Sequence, residues 1–323
     1  MATATTTYAP GPLLRVRRWA AGFLERDTWT AYAFLSPWMF GFVVFTGGPM
    51  IASLILSFTD YSIIGTTHNV GFSNYSQLYH DPKIRTALNN TLIYTAMVVP
   101  VHIIVSLWLA TLLARVGRLA SFFRTVFYLP VMVPLVAIGI LYSLLFNGDH
   151  GLINAVLGFL HVKGPYWTSN PHWIKPSLVI MHLWKVGASV VILLAALMSV
   201  PQHLYEASAM DGAARWRRFV DVTLPMISPA IFFLVIINTI GALQTFEQVY
   251  TAFFSPNTPT GTDAALFYVI YLFQQAFVYF HMGYASALAW LLFVVIGIIV
   301  TAPGRSRLAS TTPNRKFRPG KRK

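Results

Sequence analysis

The chain contains no cysteine and few charged residues. None of its 323 residues is a cysteine, so disulfides, thiolate metal sites and thiol nucleophiles are excluded. Only 10% of the residues are charged, whereas 56% are hydrophobic, and the mean hydropathy is +0.60. This composition is typical of a membrane protein and not of a soluble globular one.

Acidic residues are scarcer than basic ones. The chain has 10 Asp and Glu against 23 Lys and Arg, which gives a net charge of +13. Four of the basic residues precede residue 27 and eight follow residue 303. Basic ends on an apolar body indicate membrane orientation. They do not indicate nucleic-acid binding, because the structured aromatic platforms of such proteins are missing.

Motifs of enzymes are also missing. The nine histidines include no His-Glu-x-x-His zinc pattern, and no Gly-x-Ser-x-Gly elbow is present. A phosphate-binding Gly-x-x-x-x-Gly-Lys-Ser/Thr loop is likewise absent, so the chain cannot be its own ATPase. We therefore predict a protein that is not an enzyme, with no metal, no catalytic residue and no cofactor.

Long uncharged runs predict an all-α polytopic membrane protein with six transmembrane helices, because about 20 apolar residues cross a bilayer. The predicted spans are about 31–57, 88–114, 125–146, 177–200, 226–250 and 284–302. Residues 264–304 are all uncharged and long enough for two short crossings. We predict one crossing there, with 264–280 as an interfacial or re-entrant helix, because this choice keeps the basic C-terminus on the side of the other basic segments.

The distribution of Lys and Arg predicts the orientation. The segments assigned to the inside hold 18 of the 23 basic residues, and those assigned to the outside hold four. The inside set is Arg15, Arg17, Arg18, Arg26, Arg115, Arg118, Arg124, Arg215, Arg217, Arg218, Arg305, Arg307, Arg315, Lys316, Arg318, Lys321, Arg322 and Lys323. By the positive-inside rule both termini of this multi-pass membrane protein are cytoplasmic.

One polar segment interrupts the apolar runs. Residues 204–229 read LYEASAMDGAARWRRFVDVTLPMISP, and six of their side chains are charged. A polar segment between two spans must lie in water at one membrane face. Asp211-Gly212 predicts a helix stop, because glycine tolerates the left-handed conformation after a helix. The segment is thus expected to form a helix, a bend and a second helix on the membrane surface.

This segment resembles the EAA loop of bacterial ABC importer permeases. The matching residues are Glu206, Ala207, Ser208, Gly212, Val222, Leu224 and Pro225, and only Ser208 departs from the usual third alanine. The ten residues of 204–213, followed by a correctly spaced Leu-Pro, are similar to the maltose and sugar branch, and in particular to the first, MalF/UgpA-like permease of a pair.

Two further segments extend the resemblance to roughly residues 31–302. They are Ser57-Phe58-Thr59-Asp60-Tyr61 and Gly283-Tyr284-Ala285-Ser286-Ala287-Leu288. Where many relatives carry a Thr-Gly-Gly-Pro turn, this chain has Ser255-Pro256-Asn257-Thr258-Pro259.

The resemblance implies a location in the bacterial plasma (inner) membrane, the type I permease fold of ABC importers and a division of the chain into three parts. Residues 1–30 form a cytoplasmic tail, 31–303 the transmembrane permease domain with the cytoplasmic EAA loop 201–225, and 304–323 a basic cytoplasmic tail. It also implies four kinds of partner: a second homologous permease, two ATPase subunits, an extracellular solute-binding protein and membrane lipid.

The implied function is translocation of a sugar, with a di- or oligosaccharide expected first and glycerol phosphate or a polyol as the alternative. A membrane-embedded enzyme or an autonomous secondary carrier is the alternative from another class. It would need a catalytic cluster, or inverted repeats with ion-coupling carboxylates within the spans, and only Glu247, near the end of a span, offers itself.

The resemblance also implies candidate site residues. The expected ATPase-coupling residues are Glu206, Ala207, Ser208, Asp211, Gly212, Leu224 and Pro225. The expected substrate path comprises Trp184, Lys185, Asn238, Gln244, Glu247 and Tyr250. Lys185 and Glu247 are included because ionisable residues at membrane depth tend to face a cavity, and the other four because sugar hydroxyls need neutral hydrogen-bonding groups and aromatic faces.

Simpler interpretations remain open for each set. The segment around Glu206 can be an ordinary capped surface helix, and its three arginines can act only as positive-inside determinants. Lys185 and Glu247 can pair with each other or reach an interface, and the other substrate-path residues can serve packing alone.

Overall fold

The computed structural model describes residues 26–63, 65–254 and 262–308, and within these ranges the chain is helical, with only two isolated β-bridges. The helices, numbered here in chain order, are α1 (Arg26–Phe42), α2 (Gly48–Leu56), α3 (Ser73–His80), α4 (Pro82–Leu113), α5 (Ala120–Tyr128), α6 (Leu135–Leu145), α7 (Leu152–Phe159), α8 (Pro171–Leu183), α9 (Gly187–Met198), α10 (Gln202–Met210), α11 (Arg215–Arg218), α12 (Leu224–Leu243), α13 (Glu247–Phe253), α14 (Tyr268–Phe273) and α15 (Met282–Leu308).

Helices of membrane-spanning length and composition are plentiful. Four helical stretches of the described chain, 29–56, 82–113, 215–253 and 282–301, are long and apolar enough to cross a bilayer. Two bent pairs, α5 with α6 and α8 with α9, raise the number to six if each pair makes one crossing. The all-α polytopic fold is therefore confirmed, and which side each end faces stays a prediction.

The third predicted span, 125–146, is divided by a sharp bend. The stretch 120–132 and helix α6 lie at 94° to each other. Val133, which precedes Pro134, has an extended backbone with ψ of 128°, because a following proline disfavours the helical conformation. The proline therefore sets the start of α6 and gives this pair of helices its angle.

Helix α4 forms the centre of the bundle. It packs against α8, α9, α12 and α14, and its buried side chains include Tyr94, Val98 and Ile103. Asp81 caps its first turn by accepting a hydrogen bond from the backbone N–H of Lys83 at 2.9 Å, which satisfies one of the free donors at a helix start.

Polar contacts join the N-terminal end of α4, at Pro82, to the C-terminal helices. The carboxylate of Asp81 accepts hydrogen bonds from the hydroxyls of Tyr284, at 2.8 Å, and Tyr271. Nearby, the backbone N–H of Gly283 donates to the carbonyl of Tyr61 at 3.0 Å. A Cβ at Gly283 would lie 1.9 Å from the carbonyl oxygen of Thr59. The two sequence segments that extend the family resemblance thus contact each other directly.

The described helices lie close to the predicted spans, with ends that differ by several residues. Helix α4 begins six residues before the predicted 88, and α12 ends at Leu243, so that the predicted span 226–250 contains a break before α13. Residues 264–280 hold α14 and a π-helical turn, and their interfacial or re-entrant placement stays a prediction. The residues at 255–259 and most of both tails lie outside the described ranges.

Candidate functional site

Two helix breaks meet at one cavity. The first is at residues 184–186, between α8 and α9, which are bent by 55°. The second is at residues 244–246, between α12 and α13, where Phe246 leaves the helical conformation with φ −138° and ψ −72°. Broken helices are tolerated at membrane depth where they line a cavity, and in transporters they commonly form the substrate site.

The cavity has a volume of about 550 Å³ and a mixed polar and apolar lining. It is lined by His102, Leu135, His182, Lys185, Ala188, Ser189, Ile192, Phe233, Leu234, Ile237, Asn238, Gly241, Gln244, Thr245, Phe246, Glu247 and Gln248. Small-molecule sites have volumes of about 300–1,000 Å³. The cavity is therefore large enough for a small polar ligand.

Four of the six substrate-path residues predicted from the sequence lie together in this cavity. They are Lys185, Asn238, Gln244 and Glu247, one at the first break and three at or near the second. The amide nitrogen of Asn238 donates to the carbonyl of Leu234 at 2.8 Å, which leaves its second N–H and its amide oxygen for a ligand. The role of these four residues in transport stays a prediction.

The remaining two predicted residues, Trp184 and Tyr250, are not among the lining residues. Trp184 follows α8 and is 46% exposed. The ring of Tyr250 packs against those of Phe246, at a centroid distance of 5.2 Å, and Phe273, at 5.1 Å. Tyr250 therefore supports Phe246, which does line the cavity, from behind.

No ion pair joins Lys185 to Glu247. The described part of the chain has one salt bridge within 4.0 Å, between Arg217 and Asp221. The alternative in which the two charges neutralise each other by direct pairing is thus not observed, although both line the same cavity.

Sequence reasoning missed a polar pair on the opposite wall. The Nε2 atom of His102 lies 2.8 Å from the hydroxyl of Ser189, and the His102 and His182 rings pack with centroids 5.1 Å apart. A signal was available, because His102 is a polar residue inside the uncharged run of the second predicted span. Nothing in the sequence, however, indicates that α4, α8 and α9 bring these side chains together.

The polar segment forms the predicted helix, stop and second helix. After α10, the N–H of Ala213 donates to the carbonyl of Ser208, and that of Gly212 to the carbonyl of Ala209, both at 3.0 Å. Gly212 has φ of +76°. This is the Schellman arrangement, in which a left-handed residue after the helix satisfies its last carbonyls, and the predicted helix stop is confirmed.

The other coupling residues surround this bend. Glu206 and Ala207 are exposed on α10, and Asp211 is the residue that ends it. Leu224 and Pro225 begin α12, which continues directly from a π-helical turn at Phe219–Thr223. A hydrogen bond of 2.9 Å between the hydroxyls of Tyr205 and Thr223 joins α10 to that start.

Among the described residues there is no cluster of three or more His, Asp or Glu side chains that could hold a metal ion.

Known proteins resemble the chain over most of its length. It is 38% identical over 279 residues to the probable ABC transporter permease protein YesP of Bacillus subtilis (strain 168), with 85% of this chain and 89% of YesP covered. It is 33% identical over 271 residues to the arabinooligosaccharides transport system permease protein AraP of the same organism, with 83% and 85% covered.

A solved structure has the same fold. One chain of a bacterial alginate ABC transporter, in complex with a periplasmic protein that carries an alginate pentasaccharide, matches with a TM-score of 0.78 and 26% identity. The match covers 90% of this chain and 99% of that one.

A family model matches residues 102–303, which include the coupling segment and every residue that lines the cavity. The model describes the inner membrane component of binding-protein-dependent transport systems. With this match and the similarity to YesP, the chain belongs to that family and has the fold of an ABC importer permease.

Proposed function

We propose that this chain is the permease subunit through which a sugar, first a di- or oligosaccharide, crosses the membrane after delivery by an extracellular binding protein. The cavity at the two helix breaks carries the proposal. It presents neutral amides at Asn238 and Gln244 beside the ring of Phe246, and sugar hydroxyls are bound by such neutral donors and acceptors. AraP, named for arabinooligosaccharides, and the alginate transporter support an oligosaccharide.

Charge favours a neutral sugar over a phosphate ester. Lys185 and Glu247 line the cavity together, and their formal charges cancel. Glycerol phosphate would need a net positive site, because an unpaired charge is costly at membrane depth. A neutral saccharide meets no such penalty.

Coupling to ATP hydrolysis is proposed to run through residues 204–225. Glu206 is exposed on α10 with no salt bridge in the described chain, and Met210 at the end of the same helix is 85% exposed. An exposed helix that is held at a fixed angle by the Gly212 bend suits docking in a cleft of a separate ATPase. In this arrangement both termini and the segment are cytoplasmic, and a second permease completes the path.

Uptake by proteoliposomes tests the proposal. The vesicles contain the complete transporter, with the binding protein outside and ATP inside. Gln244→Leu and Asn238→Leu each remove hydrogen-bonding groups from the cavity and are expected to lower sugar uptake roughly tenfold, since a lost hydrogen bond costs about 0.5–1.5 kcal/mol and an unpaired partner more. ATPase co-purification should be unchanged.

Thr239→Val is the matched control, because Thr239 is the next residue on α12 and lines a different cavity. It should keep normal uptake. If glycerol phosphate competes with uptake and neutral oligosaccharides do not, or if the control loses as much uptake as Gln244→Leu, the proposal is wrong.

A further inference from the structure

A second polar cavity lies beside the coupling segment. Its volume is about 500 Å³. It is lined by Thr111, Ala114, Arg115, Leu197, Tyr205, Arg215, Arg218, Phe219 and Thr223. Three of these nine residues are arginines and none is acidic, so we call this space the arginine cavity.

None of the three arginines of this cavity forms a salt bridge within 4.0 Å in the described chain. The nearby carboxylate of Asp221 pairs with Arg217 instead, at 3.2 Å. The Nε atom of Arg218 is buried and has no hydrogen-bond partner among the described residues. A buried charged donor without a partner costs free energy, and three guanidinium groups around one space repel each other. An anion in the cavity would remove both costs.

The cavity lies where spanning helices end. Arg115 follows the last residue of α4 by two positions, and Leu197 is in the last turn of α9. Leu197 and Phe219 give the cavity apolar walls. Trp216, which is 74% exposed, stacks on Phe219 at 5.8 Å. Tryptophan is typical of the membrane interface, and we therefore expect the arginines to lie at the level of lipid headgroups.

We propose that the arginine cavity binds the headgroup phosphate of an anionic phospholipid from the cytoplasmic leaflet and thereby holds the coupling segment in place. This step rests on the cytoplasmic orientation of the proposed function. Guanidinium groups bind phosphate through paired hydrogen bonds. Basic pockets between transmembrane helices on the cytoplasmic side bind such headgroups. Free inorganic phosphate would form the same hydrogen bonds, so the experiment has to distinguish it from a lipid headgroup.

Lipid retention by the purified complex tests the proposal. The complete transporter is placed in nanodiscs of phosphatidylcholine with a minor share of phosphatidylglycerol and then extracted, and the bound lipid is counted by native mass spectrometry. The double variant Arg115→Gln/Arg218→Gln should bind phosphatidylglycerol about 30-fold more weakly, the effect expected of two arginines at a membrane surface. Arg217→Gln, which changes the arginine that already has a carboxylate partner, should bind as the wild type does.

The conservative double variant Arg115→Lys/Arg218→Lys keeps the charge and should retain most of the binding, which separates loss of the site from loss of the fold. Equal retention by the Gln variant and the wild type would overturn the proposal. The proposal would also be overturned if inorganic phosphate stabilised the lipid-free wild type and not the Gln variant, while phosphatidylglycerol had no effect.

A further outcome is that the Gln variant loses its ATPase subunits in nanodiscs of phosphatidylcholine alone and yet retains as much phosphatidylglycerol in the mixed nanodiscs as the wild type does. That result would also overturn the lipid proposal and would assign the arginines to the ATPase contact. Retention is measured without transport, so a failure of sugar uptake contradicts the proposed function and leaves this inference standing.

Discussion

At the scale of single residues, one carboxylate holds three helices together. Asp81 caps α4 and accepts hydrogen bonds from Tyr271 and Tyr284, which lie on α14 and α15. Burial raises the pKa of Asp81, but the bonds from the two tyrosines and from the backbone N–H groups of Lys83 and Ile84 outweigh it and leave the pKa below its usual value of 3.8. The ionised form is therefore the one that the fold stabilises.

Asp81→Asn should lower the stability of the purified protein by about 1–3 kcal/mol, because asparagine can still cap α4 but lacks the ionised oxygen that accepts the hydroxyls of Tyr271 and Tyr284. A lowered folded-state pKa contributes stability that is present above pH 3.8 and disappears as the pH falls toward the folded-state pKa. Melting temperatures of wild type and variant should thus differ at pH 7 and converge below about pH 4. A difference that stays constant down to pH 3 would contradict this role.

The candidate site also shows what residue patterns can predict. Lys185, Asn238, Gln244 and Glu247 were predictable because polar residues in apolar spans are costly and have to face a cavity or a partner. The same rule applies to His102, yet its partner Ser189 is 87 residues away. Contacts over that separation follow from how helices pack and not from local sequence.

At the scale of the helices, charge-free runs predicted where most of the long helices lie but not where they break. The break at 184–186 coincides with the charge of Lys185, and the bend before α6 coincides with Pro134. The break at 244–246 contains neither proline nor glycine. The break lines the cavity, and no residue pattern within it indicates in the sequence that the helix is interrupted there.

Close helix packing gives a prediction at this scale. A Cβ at Gly187, the first residue of α9, would lie 2.0 Å from the carbonyl oxygen of Phe127. Gly187→Ala should therefore destabilise the protein by about 1–3 kcal/mol through overpacking and lower its melting temperature.

Gly158 of α7 is the matched control, because a Cβ there meets no atom within 4 Å. Gly158→Ala should keep or raise the melting temperature, since alanine favours the helix. Equal effects of the two substitutions would contradict the packing of α9 against residue 127.

At the scale of the whole molecule, the orientation can be tested directly because the chain has no native cysteine. Lys163→Cys, in the predicted outer loop, should react with an impermeant thiol reagent in intact cells. Leu119→Cys, 60% exposed in the predicted inner loop, should react only after lysis. The opposite pattern would reverse the topology.

The assembly state is a second property of the whole molecule. We expect purification of the natively expressed transporter to yield one copy of this chain, one different permease and two ATPase subunits, which a native mass measurement would identify. ATP-independent uptake by this chain alone in liposomes would contradict that assembly and favour a secondary carrier.

We propose that residues 204–225 couple ATP hydrolysis to movement of the permease, and this role is tested by measuring ATPase binding and sugar uptake for variants of Gly212 and Glu206. Proline cannot adopt the φ of +76° at Gly212 and would lose the N–H that donates to Ala209. Gly212→Ala has space for its Cβ and costs only about 1–2 kcal/mol of backbone strain.

Gly212→Pro and Glu206→Lys are expected to abolish uptake and to release the ATPase from a folded membrane domain, whereas Gly212→Ala should keep most of the uptake and most of the ATPase binding. Normal ATPase binding and normal uptake by the Pro and Lys variants would contradict it.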